Sequence, residues 1–295
     1  MSLKTNPTVY ELDIPDKWKF TDEFPKEFRN LRDKKLLQDQ IWYIKKQIRY
    51  KTEHKDRGKK LKNYQLPMDL CLYSSPLTKN EKNKMYQHLE KLFKEYKDLG
   101  IQYSDQKSSR GLVYLFTGDA EKTQYHNATM AFLKKYNFEM YSIMNKYVSR
   151  ILKIYDLGIK KGVIEWLDEH LQIIFLKYDP NQGIWIHIDN VARYDRGPII
   201  TTSIGPTTTY YDLTPTLLHK NKELKPIRVE VCEGDIVVMD GSSRMEWAHG
   251  LPYNVPYKKT KYSILFKFNK FGVQHKIHNK ILKTDISTSK AICRL

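Results

Sequence analysis

The sequence has no apolar run long enough to span a bilayer, and its opening residues, MSLKTNPTVYELD, lack the apolar core of a secretory signal. These absences lead us to expect an intracellular protein, in cytoplasm or nucleus, with no membrane partner. Cysteine is scarce: Cys71, Cys232 and Cys293 are odd in number, far apart and without CxxC spacing. That indicates neither a disulfide framework nor a zinc knuckle, and it fits a reducing compartment. The chain shows no phosphate-cradling P-loop, no dinucleotide fingerprint and no internal repeat. Acid is also short, with 34 Asp and Glu against 51 Lys and Arg, leaving a net charge of +17. Such a balance favours a polyanionic partner, nucleic acid first; a lysine-rich compositional bias is the plainer alternative.

What is present falls into three textures. Residues 1–66 read as a basic N-terminal extension, partly helical or disordered. Its stretch from Lys45 to Lys62 holds nine Lys or Arg against two acids, a composition suited to a solvated arm that captures phosphates without a fixed fold. After Pro67 the pattern becomes globular. Met85, Leu89, Leu92, Phe93, Tyr96 and Leu99 follow helical spacing up to Gly100, and further helices are expected over about 127–155 and 160–169. From Leu171 the texture changes to short strands: LQIIFLKY, IWIHI, PIITTSI, TTYYDL, PIRVEVC, DIVVM and KYSILFKF, separated by Gly, Pro, Asn and Asp. Many short strands with turn punctuation indicate a sandwich or jelly roll, with the helices packed outside it. Residues 67–285 would form this domain and 286–295 a tail.

One strand is unusual. In GIWIHIDN, from Gly183 to Asn190, Ile184, Ile186 and Ile188 share one parity while His187 and Asp189 share the other with Trp185. Residues two apart on a strand face the same way, roughly 7 Å apart at the backbone. An imidazole and a carboxylate so placed suit two ligands of one metal ion. The candidate third ligand is His249 in MEWAHGLPY, which only a folded sheet could bring near. Two histidines and one carboxylate leave open positions on Fe(II) for co-substrate and oxygen. Each residue has a plainer reading: His187 as a core histidine partnered by Asp189, His249 as a loop histidine.

In KYSILFKF the row Tyr262, Ile264, Phe266 and Phe268 is apolar and reads as core. The other row carries Lys261, Ser263, Leu265 and Lys267. A buried lysine is rare unless it meets an anion, and a dicarboxylate beside the metal would supply one. A solvated face with ordinary lysines is the alternative.

The order HxD, then GDIVVMDGSSR…WAHGLP, then Lys261-x-Ser263 and Lys267 resembles the AlkB-like Fe(II)/2-oxoglutarate-dependent dioxygenases. RGLVYLFTGD (Arg110 to Asp119) is similar to the opening of that family's nucleotide-recognition lid, FLKYDPNQG to the strand and turn before HxD, and GPIITTSIG to the strand after it. The resemblance covers about Pro67 to Phe268. It implies an α+β fold, a double-stranded β-helix (jelly roll) core with flanking N-terminal helices. It implies Fe(II), 2-oxoglutarate as co-substrate and O2, with His187, Asp189 and His249 as metal ligands and catalytic centre. Tyr178, Lys261, Ser263 and Lys267 would contact 2-oxoglutarate. The sequence departs from the family at the two lysines, where arginines are usual, and at Leu176, where an asparagine often contacts the co-substrate. Lysine keeps the charge but loses the bidentate fork.

The activity so implied is oxidative demethylation, or hydroxylation, of N-methylated nucleobases in DNA or RNA, as in repair. The base would be flipped out or presented single-stranded and stacked on aromatics, for which Tyr114, Phe116, Tyr125 and Trp185 are candidates. The same chemistry on a protein side chain, or a catalytically impaired nucleic-acid-binding homologue, are the rival readings. A monomer is expected.

Overall fold

The structure, a computed structural model, describes residues 2–14, 50–98, 102–105, 110–116, 134, 137–154, 171–189, 198–219 and 224–268. Among them are thirteen strands in two sheets. The strands are β1 (Val9–Leu12), β2 (Arg57–Leu61), β3 (Leu70–Tyr73), β4 (Gln102–Asp105), β5 (Arg110–Phe116), β6 (Leu171–Tyr178) and β7 (Ile184–His187). They continue with β8 (Ile199–Ile204), β9 (Thr208–Pro215), β10 (Ile227–Cys232), β11 (Ile236–Met239), β12 (Trp247–Leu251) and β13 (Lys261–Phe268). One sheet runs β2-β1-β10-β9-β12-β7, the other β3-β11-β8-β13-β6-β5-β4. From β6 onward the chain alternates between sheets except for the β9–β10 hairpin, and every pairing among these eight strands is antiparallel. That winding is the double-stranded β-helix, a jelly roll.

Side-chain alternation sorts the core into layers. The apolar row of β13, Tyr262, Ile264 and Phe266, is buried with Ile173 and Phe175 of β6 against two helices. These are α1 (Lys79–Asp98), contributing Met85, Leu89 and Phe93, and α2 (Phe138–Ile154), contributing Met140, Met144 and Tyr147. A capping box starts α1: Thr78 N donates to Glu81 Oε2 at 2.7 Å, and Glu81 N to Thr78 Oγ1 at 3.3 Å. Between the sheets lies a second cluster including Leu72, Ile174, Leu176, Leu213, Ile227, Val237 and Trp247. A third, Leu12, Ile14, Tyr50, Ile186, Ile188 and Ala248, covers the far face of the six-stranded sheet. The alternation of GIWIHIDN thus has a cause: Ile186 and Ile188 serve this outer layer, so the opposite parity is released for polar groups.

The helices end near their expected limits where described, and the strands read from Leu171 onward match β6 to β11 and β13. The region 160–169 lies outside the described residues. Residues 50–62 differ from expectation. Instead of a solvated arm they form a strap, a short 3₁₀ turn (His54–Asp56) and then β2, which pairs with β1 at the sheet edge. Charge concealed this. β2 is an edge strand with Arg57, Lys59 and Lys60 exposed, a pattern that keeps edges from pairing with other chains and erases any apolar alternation. β12 was also unexpected: His249 sits within a strand, not a loop, because WAHGL is too short and glycine-broken to show a period. No helix among the described residues is long and apolar enough to cross a membrane.

Candidate metal centre and co-substrate pocket

β7 and β12 are neighbours, and their register sets His187 directly opposite His249. Their rings lie 4.5 Å apart between centroids. Asp189 follows β7 by two residues and reaches both: Oδ1 is 3.9 Å from His187 Nε2 and Oδ2 is 3.6 Å from His249 Nε2. One ligand atom from each of the three residues falls within 4.8 Å of the others, all partly buried. His187 Nδ1 is 2.6 Å from the Trp185 carbonyl. When Nδ1–H donates there, the ring is fixed and the Nε2 lone pair is left toward the cluster, as imidazoles that bind metals are oriented. Two imidazoles and one carboxylate so clustered are a donor set that fits a divalent iron ion.

Gly250 protects this alignment. A Cβ there would stand 2.8 Å from the Ile184 carbonyl and 3.0 Å from the Ile186 nitrogen. Any side chain would push β12 off β7 next to His249.

Across the interior from the triad stands Lys261, 2% exposed. It pairs in register with Tyr178. Its ammonium lies 5.3 Å from the Tyr178 ring centroid and 6.0 Å from that of Tyr211, within the range of cation–π attraction. No carboxylate among the described residues forms an ion pair with it, and burial alone pushes its pKa down to about 7. Ser263 is equally buried, its Oγ 3.5 Å from Ser203 Oγ. The odd row of β13 therefore lines the interior, as its polar residues suggested. Lys267 lies six residues along the same strand, its backbone paired with Gln172 and Ile199. A straight strand separates the two lysine backbones by roughly 20 Å. Leu176 is buried opposite Ser263 and supplies an apolar wall where the AlkB-like resemblance led us to expect a polar contact.

Tyr211 was missed in the sequence. Its hydroxyl donates to Thr201 Oγ1 at 2.9 Å. Burial pushes its phenol pKa up, and Tyr178 and Asp189 nearby add to the effect. The available signal was parity: Tyr211 and Leu213 alternate with Asp212 on β9. Among the stacking candidates, Tyr114 and Phe116 lie on β5, their backbones paired with Ile174 and Gln172, and Tyr125 lies outside the described residues. Trp185 is partly buried beside His187, and its indole N–H is enclosed with no hydrogen-bond partner among the described residues.

Comparison with known proteins follows this geometry. No curated protein matches the chain. Among solved structures it is similar to a prolyl-4-hydroxylase of Pseudomonas putida, at 11% identity and a TM-score of 0.42, covering 69% of this chain and 94% of that one. It is also similar to a Trichoplax adhaerens prolyl hydroxylase in complex with a hypoxia inducible factor oxygen degradation domain peptide fragment. There the identity is 13% and the TM-score 0.45, over 72% of this chain and 86% of that one. Both values are too low to carry a substrate across. The family model of the 2OG-Fe(II) oxygenase superfamily matches residues 16–270, most of the chain, and the chain belongs to that superfamily of dioxygenases using Fe(II), 2-oxoglutarate and O2.

Proposed function

We propose that this dioxygenase acts on N-methylated bases of nucleic acid, with His187, Asp189 and His249 holding Fe(II). The observation that supports a polyanionic substrate is the basic edge of the six-stranded sheet. Arg57, Lys59 and Lys60 are exposed on β2, with Arg57 over the Tyr10 ring at 5.2 Å and Lys51 over the Tyr253 ring at 4.8 Å. Of the nearby acids, Glu53 pairs with Lys55 and Asp56 accepts from Glu53 N within the turn, while the Asp13 carboxylate lies beside Gly58. Such an edge attracts phosphates without reading sequence.

With iron, 2-oxoglutarate and O2 bound, the centre supplies oxidation of a substrate C–H bond as the co-substrate is decarboxylated, and an N-methyl group so hydroxylated leaves as formaldehyde. The chain's own groups orient the parts. Trp185 O fixes the His187 ring. Lys261, with Tyr178 and Ser263, holds the distal carboxylate of 2-oxoglutarate, and Leu176 and Leu213 keep the pocket dry. Lys267 is the second candidate anion partner, nearer the other end of β13. Tyr114, Phe116, Tyr125 and Trp185 are the candidate stacking platforms.

The test is anaerobic loading with Fe(II) and 2-oxoglutarate, then oxygen, with methylated DNA and RNA oligonucleotides and a proline-containing peptide offered in parallel. Loss of the methyl group by mass, abolished in Asp189→Ala, is the expected result. Hydroxylated peptide with untouched oligonucleotides would move the substrate to protein side chains.

A further inference from the structure

Lys261 is placed as few lysines are. Its ammonium lies by the rings of Tyr178 of β6 and Tyr211 of β9, and Ser263, two residues along its own strand, and Ser203, paired with Ser263 on β8, are buried as well. The charged and titratable groups of the neighbouring elements are otherwise committed. Asp179, beyond Tyr178, is tied to Lys177 at 3.1 Å and to Thr260 Oγ1 at 3.1 Å. His187, Asp189 and His249, on the other sheet, converge on one another. Two ring faces attract an ammonium, but they do not neutralise it. A lysine in such surroundings sheds its proton, and burial here brings that point down to about 7.

We infer that Lys261 is charged by its own ligand: the distal carboxylate of a dicarboxylate 2-oxo acid enters together with a proton, so the enzyme's preference for dicarboxylate over monocarboxylate 2-oxo acids is set by pH. The inference rests on the co-substrate role proposed above and adds a regulation to it. The balance is simple. The neutral amine, one proton from solvent and the entering carboxylate give an ammonium–carboxylate pair, with no other bond made or broken. A family-type arginine could not do this, because a guanidinium stays charged throughout. The lysine in its place turns a constant anchor into a conditional one.

The experiment is anaerobic calorimetry of the full chain with Fe(II), from about pH 6 to pH 9, in two buffers of different ionisation enthalpy. The probes are 2-oxoglutarate and 2-oxohexanoate, which share the chelating end and differ in the distal group. Their affinity ratio therefore cancels pH effects at the metal ligands. The ratio is expected to fall about tenfold per pH unit above about pH 7, with about one proton taken up per 2-oxoglutarate bound. Lys261→Arg should make the ratio independent of pH, and Lys261→Met should abolish the preference at every pH. A flat ratio in the wild type without proton uptake overturns the inference, whatever the variants do. Failure of both acids to bind at any pH would instead refute the co-substrate reading on which it stands.

Discussion

Of the three cations fully buried among the described residues, Arg228, Arg244 and Lys261, the first and the last stand in contrast. Arg228, on the outer side of the six-stranded sheet, has every neighbour it needs. Its Nε and Nη2 donate to the two Asp212 oxygens at 2.6 and 2.7 Å, and the remaining donors reach the His54 and Glu53 carbonyls at 2.7 and 3.0 Å. Thr52 Oγ1 donates to Asp212 as well. Lys261, in the interior, has no carboxylate partner among the described residues and lies over two aromatic faces. Arg228 ties the strap to the back of the strands that carry the triad, where Ile186 N also donates to Tyr50 O at 3.0 Å. The one cation completes the fold; the other, on the function proposed above, is completed by a ligand. A buried charge with satisfied donors points to architecture, and one without a counter-ion points to function.

The contrast breaks most visibly at the outer pair. Asp212→Ala leaves a guanidinium buried without its carboxylate, which costs about 3–5 kcal/mol and should appear as a large drop in denaturation midpoint. Replacing both residues by apolar ones of similar size should recover much of that loss, since a buried pair is worth little over good packing. If Asp212→Ala were no worse than the double replacement, the pair would not be the clamp described here.

How much of this was legible beforehand follows the same division. The proposed interior site stood out by residue type: His187 and Asp189 fill the second parity of an alternating strand, and Lys261 and Ser263 interrupt an apolar one. Seven of the eight jelly-roll strands were readable from Leu171 onward because they carry regular parity and turn residues. The strap was not. Its ordering comes from partners about 160 to 175 residues away in sequence, Asp212 and Arg228, and its own residues are mostly charged. Arg228 within PIRVEVC was the one available clue, a cation on an otherwise apolar strand, and a clue of that kind names no partner. β12 escaped for a different reason, because a strand of five residues broken by Gly250 has no period to detect.

The second prediction turns on Lys261 and pH. Its amine titrates near 7 in the empty site against an ordinary lysine value of 10.5. Between these values the unfolded chain binds the proton and the folded one does not. Folding stability therefore rises with pH across the window, by about 1.4 kcal/mol per unit. Lys261→Met lacks this dependence. In chemical denaturation without co-substrate, the variant should be the more stable protein near pH 7, and its advantage should shrink steadily toward pH 9. Parallel pH profiles for the two proteins would mean that Lys261 keeps its charge in the empty pocket, with a counter-ion among residues beyond those described.

The smallest expected effects compare one hydroxyl from each region. Thr52→Val removes a donor to the buried Asp212 carboxylate while keeping the shape of the side chain. Losing one hydrogen bond to a charged group that retains its bidentate partner costs about 1–2 kcal/mol. Co-substrate affinity should not change, because Thr52 lies behind the sheet and not in the pocket. Ser263→Ala should behave in the opposite way. Its Oγ is 3.5 Å from Ser203 Oγ, at the outer limit of a useful hydrogen bond, so the folded state loses little when it goes. The bound carboxylate loses a donor, and 2-oxoglutarate affinity should fall severalfold. Denaturation midpoints and co-substrate titrations of both variants test this directly. If Ser263→Ala destabilises the chain and binds 2-oxoglutarate normally, that hydroxyl belongs to the architecture, and the anion pocket contracts to Lys261 and Tyr178.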